Sequence, residues 1–232
     1  MKVFVLFLFF ALSANVDGQT VRRATLLEHR SYVLEVLEKT VHGIEDYQWC
    51  NLKIPDMTEE VKYELFGREL AGTVTFKNGY VLKVQHVDVT EASIQQVWSW
   101  ATAAQVGTVD VRALLRLHDV VYGFDVEAKL NGETYVFTST FTHRLLNFNF
   151  SILKNMATNE ITVTVVGAQP ATLATNLMSF IPHTDISDLI GTTFVPASTQ
   201  PVVISWGRDI IQPIVDDVVR NKVEFPEVCY NC

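Results

Sequence analysis

The sequence predicts an α+β fold in which a long, strongly twisted antiparallel sheet wraps around two amphipathic helices. Three observations carry this expectation. Apolar residues recur at helical spacing near both ends of the 232-residue chain. Between about residues 62 and 166 the period changes to two. The alternating runs there reach a dozen residues, beyond the usual five or six of a strand. Hydrophobic types make up 48% of the chain and charged types 19%, which excludes intrinsic disorder and raises the question of where so much apolar surface is placed.

Taken in order, residues 1–18 read as a secretory signal peptide. Lys2 is the positive n-region, Val3–Ala11 the apolar h-region, and small residues offer cleavage after Ala14 or after Gly18. Residues 19–232 are then one secreted, extracellular domain. A first helix is expected over 20–46, with Leu27, Leu34, Leu37, Val41 and Ile44 on one stripe, and Ile54-Pro55-Asp56 breaks regular structure after it. Thr73–Lys77 and Tyr80–His86 flank Asn78-Gly79, the pattern of a type I′ hairpin. Val109, Val111, Ala113, Leu115 and Leu117 alternate with polar residues. After His118-Asp119 the alternation resumes at Tyr122, Phe124, Val126, Ala128 and Leu130. Asn131-Gly132 turns the chain into Thr134–His143, and Leu146–Leu153 and Ile161–Val166 complete a meander with one apolar face, as in a sheet covered on one side. Thr172–Ile181 is expected to be a short apolar helix, followed by a connector punctuated by Pro182, Pro196 and Pro201. Val202–Val223 is a long amphipathic helix kinked at Pro213.

The formal charge is −8, and no block of basic residues offers phosphates a surface, so neither nucleic acid nor an anionic membrane is an expected partner. Beyond the signal peptide no stretch reaches the ~18 apolar residues of a membrane span, so stable insertion is not expected. Three cysteines, Cys50, Cys229 and Cys232, allow one disulfide with one thiol left over. Cys50 can pair with Cys229 or Cys232, or the last two can pair locally. Asn149-Phe150-Ser151 is an N-glycosylation sequon, and its alternation with Phe148 and Phe150 puts Asn149 on the wet face of a strand.

No nucleophile elbow, zincin helix, dinucleotide fingerprint or phosphate loop occurs. The six histidines show no ligand spacing, so no metal or cofactor is expected. An esterase assembled from distant residues is a minor alternative. The favoured reading is non-catalytic. A curved sheet and two helices that turn apolar side chains inward can enclose a groove for a lipid or other hydrophobic molecule. Its expected lining is Leu34, Leu37, Val41, Phe76, Leu115, Leu117, Phe124, Phe137, Phe141, Ile210, Ile214 and Val218, with Trp98 and Trp100 as a rim or as an end-cap of the core. The same pattern describes a filled core, and the chain would then be a secreted, immune-type recognition protein.

The chain resembles the mite group 7 allergens, and through them the juvenile-hormone-binding-like and bactericidal/permeability-increasing-like lipid-binding proteins. The resemblance runs from about residue 20 to 222. It rests on the helix, meander, helix order, on Ile54-Pro55-Asp56, on the segment Gly72–Asp88, and on Leu117-His118-Asp119-Val120-Val121 leading to Phe124–Leu130. It implies a super-roll, a highly curved sheet around a long C-terminal helix, secreted and carrying hydrophobic molecules, some of bacterial origin.

Overall fold

A computed structural model describes residues 24–65, 68–101, 103, 106–168 and 177–230. The segment read as a signal peptide and Cys232 lie outside the described residues. The fold is α+β and dominated by one large antiparallel sheet. Its two central strands are β6 (Val106–Leu130) and β7 (Glu133–Asn155), paired along their full length and joined at Asn131-Gly132. Both turn residues have positive φ, 50° and 88°, as a type I′ turn requires. Along the free edge of β6, β4 (Arg68–Val89) and β5 (Gln95–Ala101) lie end to end. Along the free edge of β7, β8 (Ile161–Ala168) and β9 (Leu177–Ile181) do the same. β2 (Lys53–Ile54) and β3 (Met57–Leu65) pair outside β4.

The central strands are about twice as long as the alternation suggests, because its interruption at His118-Asp119 is a kink within one strand. Asp119 takes φ 45° and lies opposite Arg144, whose Nη1 donates to Asp119 Oδ1 at 3.2 Å. Crossing this level, the inward side chains of β6 pass from odd positions (Val111, Leu115, Leu117) to even ones (Val120, Tyr122, Phe124). On β7 they change parity between His143 and Leu146. The register of β4 shifts at the same level, between Val81 and Lys83. Aligned irregularities let a sheet bend sharply while its apolar side chains stay inside.

Asn78-Gly79 is likewise a bulge inside β4 and not the expected hairpin. Asn78 has φ 54°, its N–H donates to Asp56 and its side-chain amide to Asp125. Paired with β6 before and after the bulge, the chain has no reason to reverse there. β4 instead turns back upon β3, in register from Met57–Phe76 to Leu65–Arg68.

The expected first helix begins as a strand. β1 (Ala24–Leu26) pairs with β10 (Val228–Tyr230) near the C-terminus, and α1 spans His29–Tyr47. Its buried stripe is Tyr32, Val33, Val36, Leu37, Thr40 and Ile44, rotated from the expected one. Leu34, counted among the lining residues, is 44% exposed. Leu177–Ile181 is strand β9, not helix, since its edge pairs with Thr138–Thr142 and Phe180 turns inward; residues 172–176 lie outside the described residues. The supposed connector contains α2 (Asp185–Thr193). It opens on a capping box in which the Ser187 N–H donates to Thr184 Oγ1 at 3.1 Å and the Thr184 N–H to Ser187 Oγ at 2.8 Å. Asp185 and Asp188 in the first turn complement the helix dipole.

The C-terminal helix runs through α3 (Gln200–Trp206), a π-helical turn (Gly207–Ile211) and α4 (Gln212–Asn221). In the widened turn the Gln212 N–H reaches back to the Gly207 carbonyl. The widening falls just before Pro213, which cannot donate to the preceding turn. This helix covers the outer edge of β8. Gln212 Oε1 accepts the Val165 N–H at 3.1 Å, and Arg220 Nη2 donates to the Ile161 carbonyl at 2.8 Å, so the helix both covers this edge and takes up two of its backbone groups.

The position of Cys50 follows from the same layout. Cys229 lies opposite Thr25, just before α1, whereas Cys50 follows the far end of the helix. Nineteen helical residues separate the two ends by about 28 Å, far beyond disulfide reach. Cys50 is a free, exposed thiol, which removes both pairings that would have used it.

Candidate functional site

The apolar side chains form one continuous cluster from the β1–β10 end to α2, and on either side of the kink it is built differently. On the α2 side it is aromatic. Phe194, just after α2, sets its ring 5.0 Å from Phe76, 5.9 Å from Phe124 and 4.7 Å from Phe141. Tyr122 packs on Phe141, His143 and Trp206, and Phe137 meets Phe180 at 5.9 Å. Four of the residues expected to line a groove, Phe76, Phe124, Phe137 and Phe141, are gathered here and are buried.

On the α1 side the packing is largely aliphatic, with Phe148, Phe150 and the Tyr32–Phe225 ring pair set into it. A small gap lies between Val33, Val36 and Leu37 of α1 and Val111, Ala113, Phe150 and Ile152 of the sheet. Its volume is about 10 Å³, room for one water-sized body, and every residue lining it is apolar. Small Ala113, opposite the helix, leaves the space that a larger residue would fill. Leu37 is the expected lining residue found here. Leu115, Leu117 and Val218 are buried, while Val41, Ile210 and Ile214 are partly buried against the cluster. Val33, Val36, Phe150 and Ile152 were not singled out. The shared inward parity of Val111 with Ala113, and of Phe150 with Ile152, was the available signal.

α1 begins without a side-chain cap, and a 3.2 Å contact between His29 Nδ1 and Gln96 Nε2 ties its first residue to β5. Glu28, before it, has φ 52° and makes no side-chain cap, the first turn has no acidic residue, and the last has no basic one. His29 and Arg30 stand at the end that favours negative charge. The helix is therefore held mainly by its apolar face, including the approach of Gly43 to Ile214 of α4. Apolar contacts of this kind are non-directional and can be exchanged for others.

Trp98 and Trp100 stand on β5 and not in a loop. Their rings are 6.3 Å apart, Trp98 is half-buried beside Gly107, and Trp100 is more exposed. Next to them the Gln96 side chain accepts the Leu26 N–H at 2.8 Å, which ties β1 to the sheet close to the start of α1.

Of the buried hydroxyls, those of Ser139, Tyr32 and Tyr122 meet no hydrogen-bond partner among the described residues, whereas Thr199 is a structural tie. Thr199 Oγ1 donates to the Pro196 carbonyl at 2.8 Å and meets His143 Nε2 at 3.1 Å. Ser139 and His143 lie four residues apart on β7, about 13 Å along a strand, out of reach for a nucleophile and its base. Among the described residues no three His, Cys, Asp or Glu side chains converge to hold a metal ion, and no helix is long and apolar enough to cross a membrane.

On the outer face, Asp88 accepts two hydrogen bonds from Arg116, both at 2.7 Å, and lies 3.2 Å from His118 Nε2. The Arg116 guanidinium holds the Asp88 carboxyl below its usual range against the opposing effect of burial, with His118 adding to it. A lowered folded pKa contributes stability above the unfolded carboxylate value near 3.9, and that stability is lost as pH falls through the folded value. D88N is expected to cost about 1–2 kcal/mol at pH 7, with the deficit shrinking below about pH 4. Urea unfolding across pH checks this, and a deficit of constant size would refute it.

No family model matches the chain, and no curated protein matches it. Among solved structures it is similar to one described as the crystal structure of lipopolysaccharide binding protein, with a TM-score of 0.49 and 5% identity over 86% of this chain. The match covers 40% of that protein, so the chain spans about two fifths of its length. A likeness this slight carries no argument about fold, family or ligand.

Proposed function

We propose that the protein binds a lipid or other hydrophobic molecule without catalysis, in the seam between α1 and the sheet. The observation that carries this reading is the wholly apolar gap at Ala113, covered by a helix that begins without a side-chain cap. A ligand far larger than 10 Å³ enters by displacing α1, exchanging helix–sheet contacts for ligand–sheet contacts. Its affinity then comes from buried apolar area, at roughly 25 cal/mol per Å², less the contacts given up. Trp98 and Trp100 form the rim at the β1 end. In this reading the chain is secreted after removal of residues 1–18, Cys229 and Cys232 form a local disulfide, and the order of helix, meander and helix supports a place beside the group 7 allergens in the bactericidal/permeability-increasing-like family.

The test combines native mass spectrometry, before and after organic extraction, with titration of a fluorescent fatty-acid probe. Saturable binding is expected. A113F, which fills the seam, is expected to weaken it at least tenfold, about 1.4 kcal/mol, and V36A, which widens it, is expected to preserve or tighten it. Probe binding unchanged in A113F would rule out the seam. Absence of both bound lipid and probe binding would leave the recognition-protein reading. That alternative is favoured by Val136 and Ile181, 69% and 75% exposed and about one row apart on the outer face, since Ile181 pairs with Thr138.

A further inference from the structure

The outer face of the sheet, opposite α1, carries a depression of about 480 Å³ whose wall includes Asn149. Asn149 is the asparagine of the sequon and is exposed. It lies in one row between Leu114 of β6 and Val166 of β8, and Val166 is half exposed. The next row is polar, with Gln95, Arg112, Ser151 and Thr164 side by side. Beneath it Asp110 is buried. Its Oδ2 accepts from Arg112 Nε and its Oδ1 from Ser151 Oγ, both at 2.6 Å. The hydroxyl that completes the sequon is thus locked to a buried carboxylate in the folded chain.

We infer that Asn149 carries an N-linked glycan whose first sugar rests in this depression. Apolar Leu114 and Val166 flank the point of attachment, and polar Arg112, Gln95 and Thr164 face the sugar's hydroxyl and acetamido groups. The donor is an oligosaccharide linked to a lipid pyrophosphate. Asn149 Nδ2 attacks the sugar C1, the new N–C bond replaces the C1–O bond to pyrophosphate, the lipid pyrophosphate leaves, and one amide proton passes to solvent through the enzyme's base. Because Ser151 Oγ is engaged by Asp110 and β7 is paired on both sides here, the transfer precedes closure of the sheet. The folded product then has room for the sugar on a face that binds nothing in the seam.

The full chain, expressed in a eukaryotic secretory host and recovered from medium or cells, provides the test. The expected result is one excess mass that peptide-N-glycosidase removes, leaving aspartate in place of Asn149. It is absent in N149Q and S151A and kept in S151T. In the wild type, magnetisation transfer is expected between the N-acetyl methyl of the first sugar and the Val166 methyls. A chain with no glycan, or with one that persists in N149Q, overturns the inference, and a glycan that makes no contact with Leu114 or Val166 overturns its seat. Since N149Q leaves the Asp110–Ser151 hydrogen bond and the inner face intact, fatty-acid probe binding is expected to match the wild type, so this test stands apart from that of the seam.

Discussion

Replacing Phe194 by alanine is expected to cost about 3–5 kcal/mol of folding stability, a fall in Tm of roughly 6–20 °C for a chain of this size. Phe194 is buried and lies against Phe76, Phe124 and Phe141, one from β4, one from β6 and one from β7. It is the residue through which the segment after α2 closes the sheet on that side of the kink. The truncation removes the transfer energy of a ring and leaves a hole in a cluster whose other members are held by their strands and cannot collapse into it. A space lined by apolar residues binds small apolar molecules, so benzene or xenon is expected to restore part of the loss in F194A and to leave the wild type unchanged. Calorimetry with and without benzene checks both, and a loss below about 1 kcal/mol would show that these rings are not a closed packing.

The second large effect is expected where the C-terminal helix meets β8. A Cβ on Gly167 would lie 2.7 Å from Ile204 Cα, and one on Gly207 would lie 2.7 Å from the Gly167 nitrogen. Both obstacles are backbone, so no side chain can swing aside. G167A and G207A are each expected to lose about 1–3 kcal/mol, because a methyl forces the helix off the edge it covers and strains the Gln212–Val165 hydrogen bond. The two methyls push apart the same pair of backbones, so the double mutant is expected to lose less than the sum of the single losses. Urea denaturation of the three variants measures the coupling, and strict additivity would mean that the sites are independent.

Much of the fold was legible because it depends on local pattern. The even period from about residue 62 to 166 describes a sheet with one apolar face, and the Asn131-Gly132 turn is where both residues require positive φ. Asn78-Gly79 has the same two residues, yet it is a bulge, since β6 runs beside it and the strand continues. A turn signal reports which backbone angles a residue tolerates, not whether a neighbour holds the chain straight. α2 was missed, because the prolines around it suggested a connector and Thr184 and Ser187, which close its capping box, lack the Glu or Gln of the usual signature.

The candidate site was less legible. Leu34-Leu37-Val41-Ile44 and Val33-Val36-Leu37-Thr40-Ile44 are both sound helical stripes that share Leu37 and Ile44, and propensity does not choose between them. The choice was made by what α1 packs against, namely Ala113 and Phe150 on one side and Ile214 on the other. The gap itself has no sequence signal, because a small residue such as Ala113 marks either a close approach or a space.

By itself the sequence determined the periods: two helical segments, a meander of unusual length, and the division of each strand into an apolar and a polar face. These follow from the spacing of side chains along one chain and need no partner. Only the tertiary structure decided which way each face turns, where strands bend instead of ending, that Leu177–Ile181 pairs as an edge strand, and that Cys50 stands a helix length from Cys229. Each of these is set by a surface far away in sequence, and facing, pairing and distance are properties of two segments together.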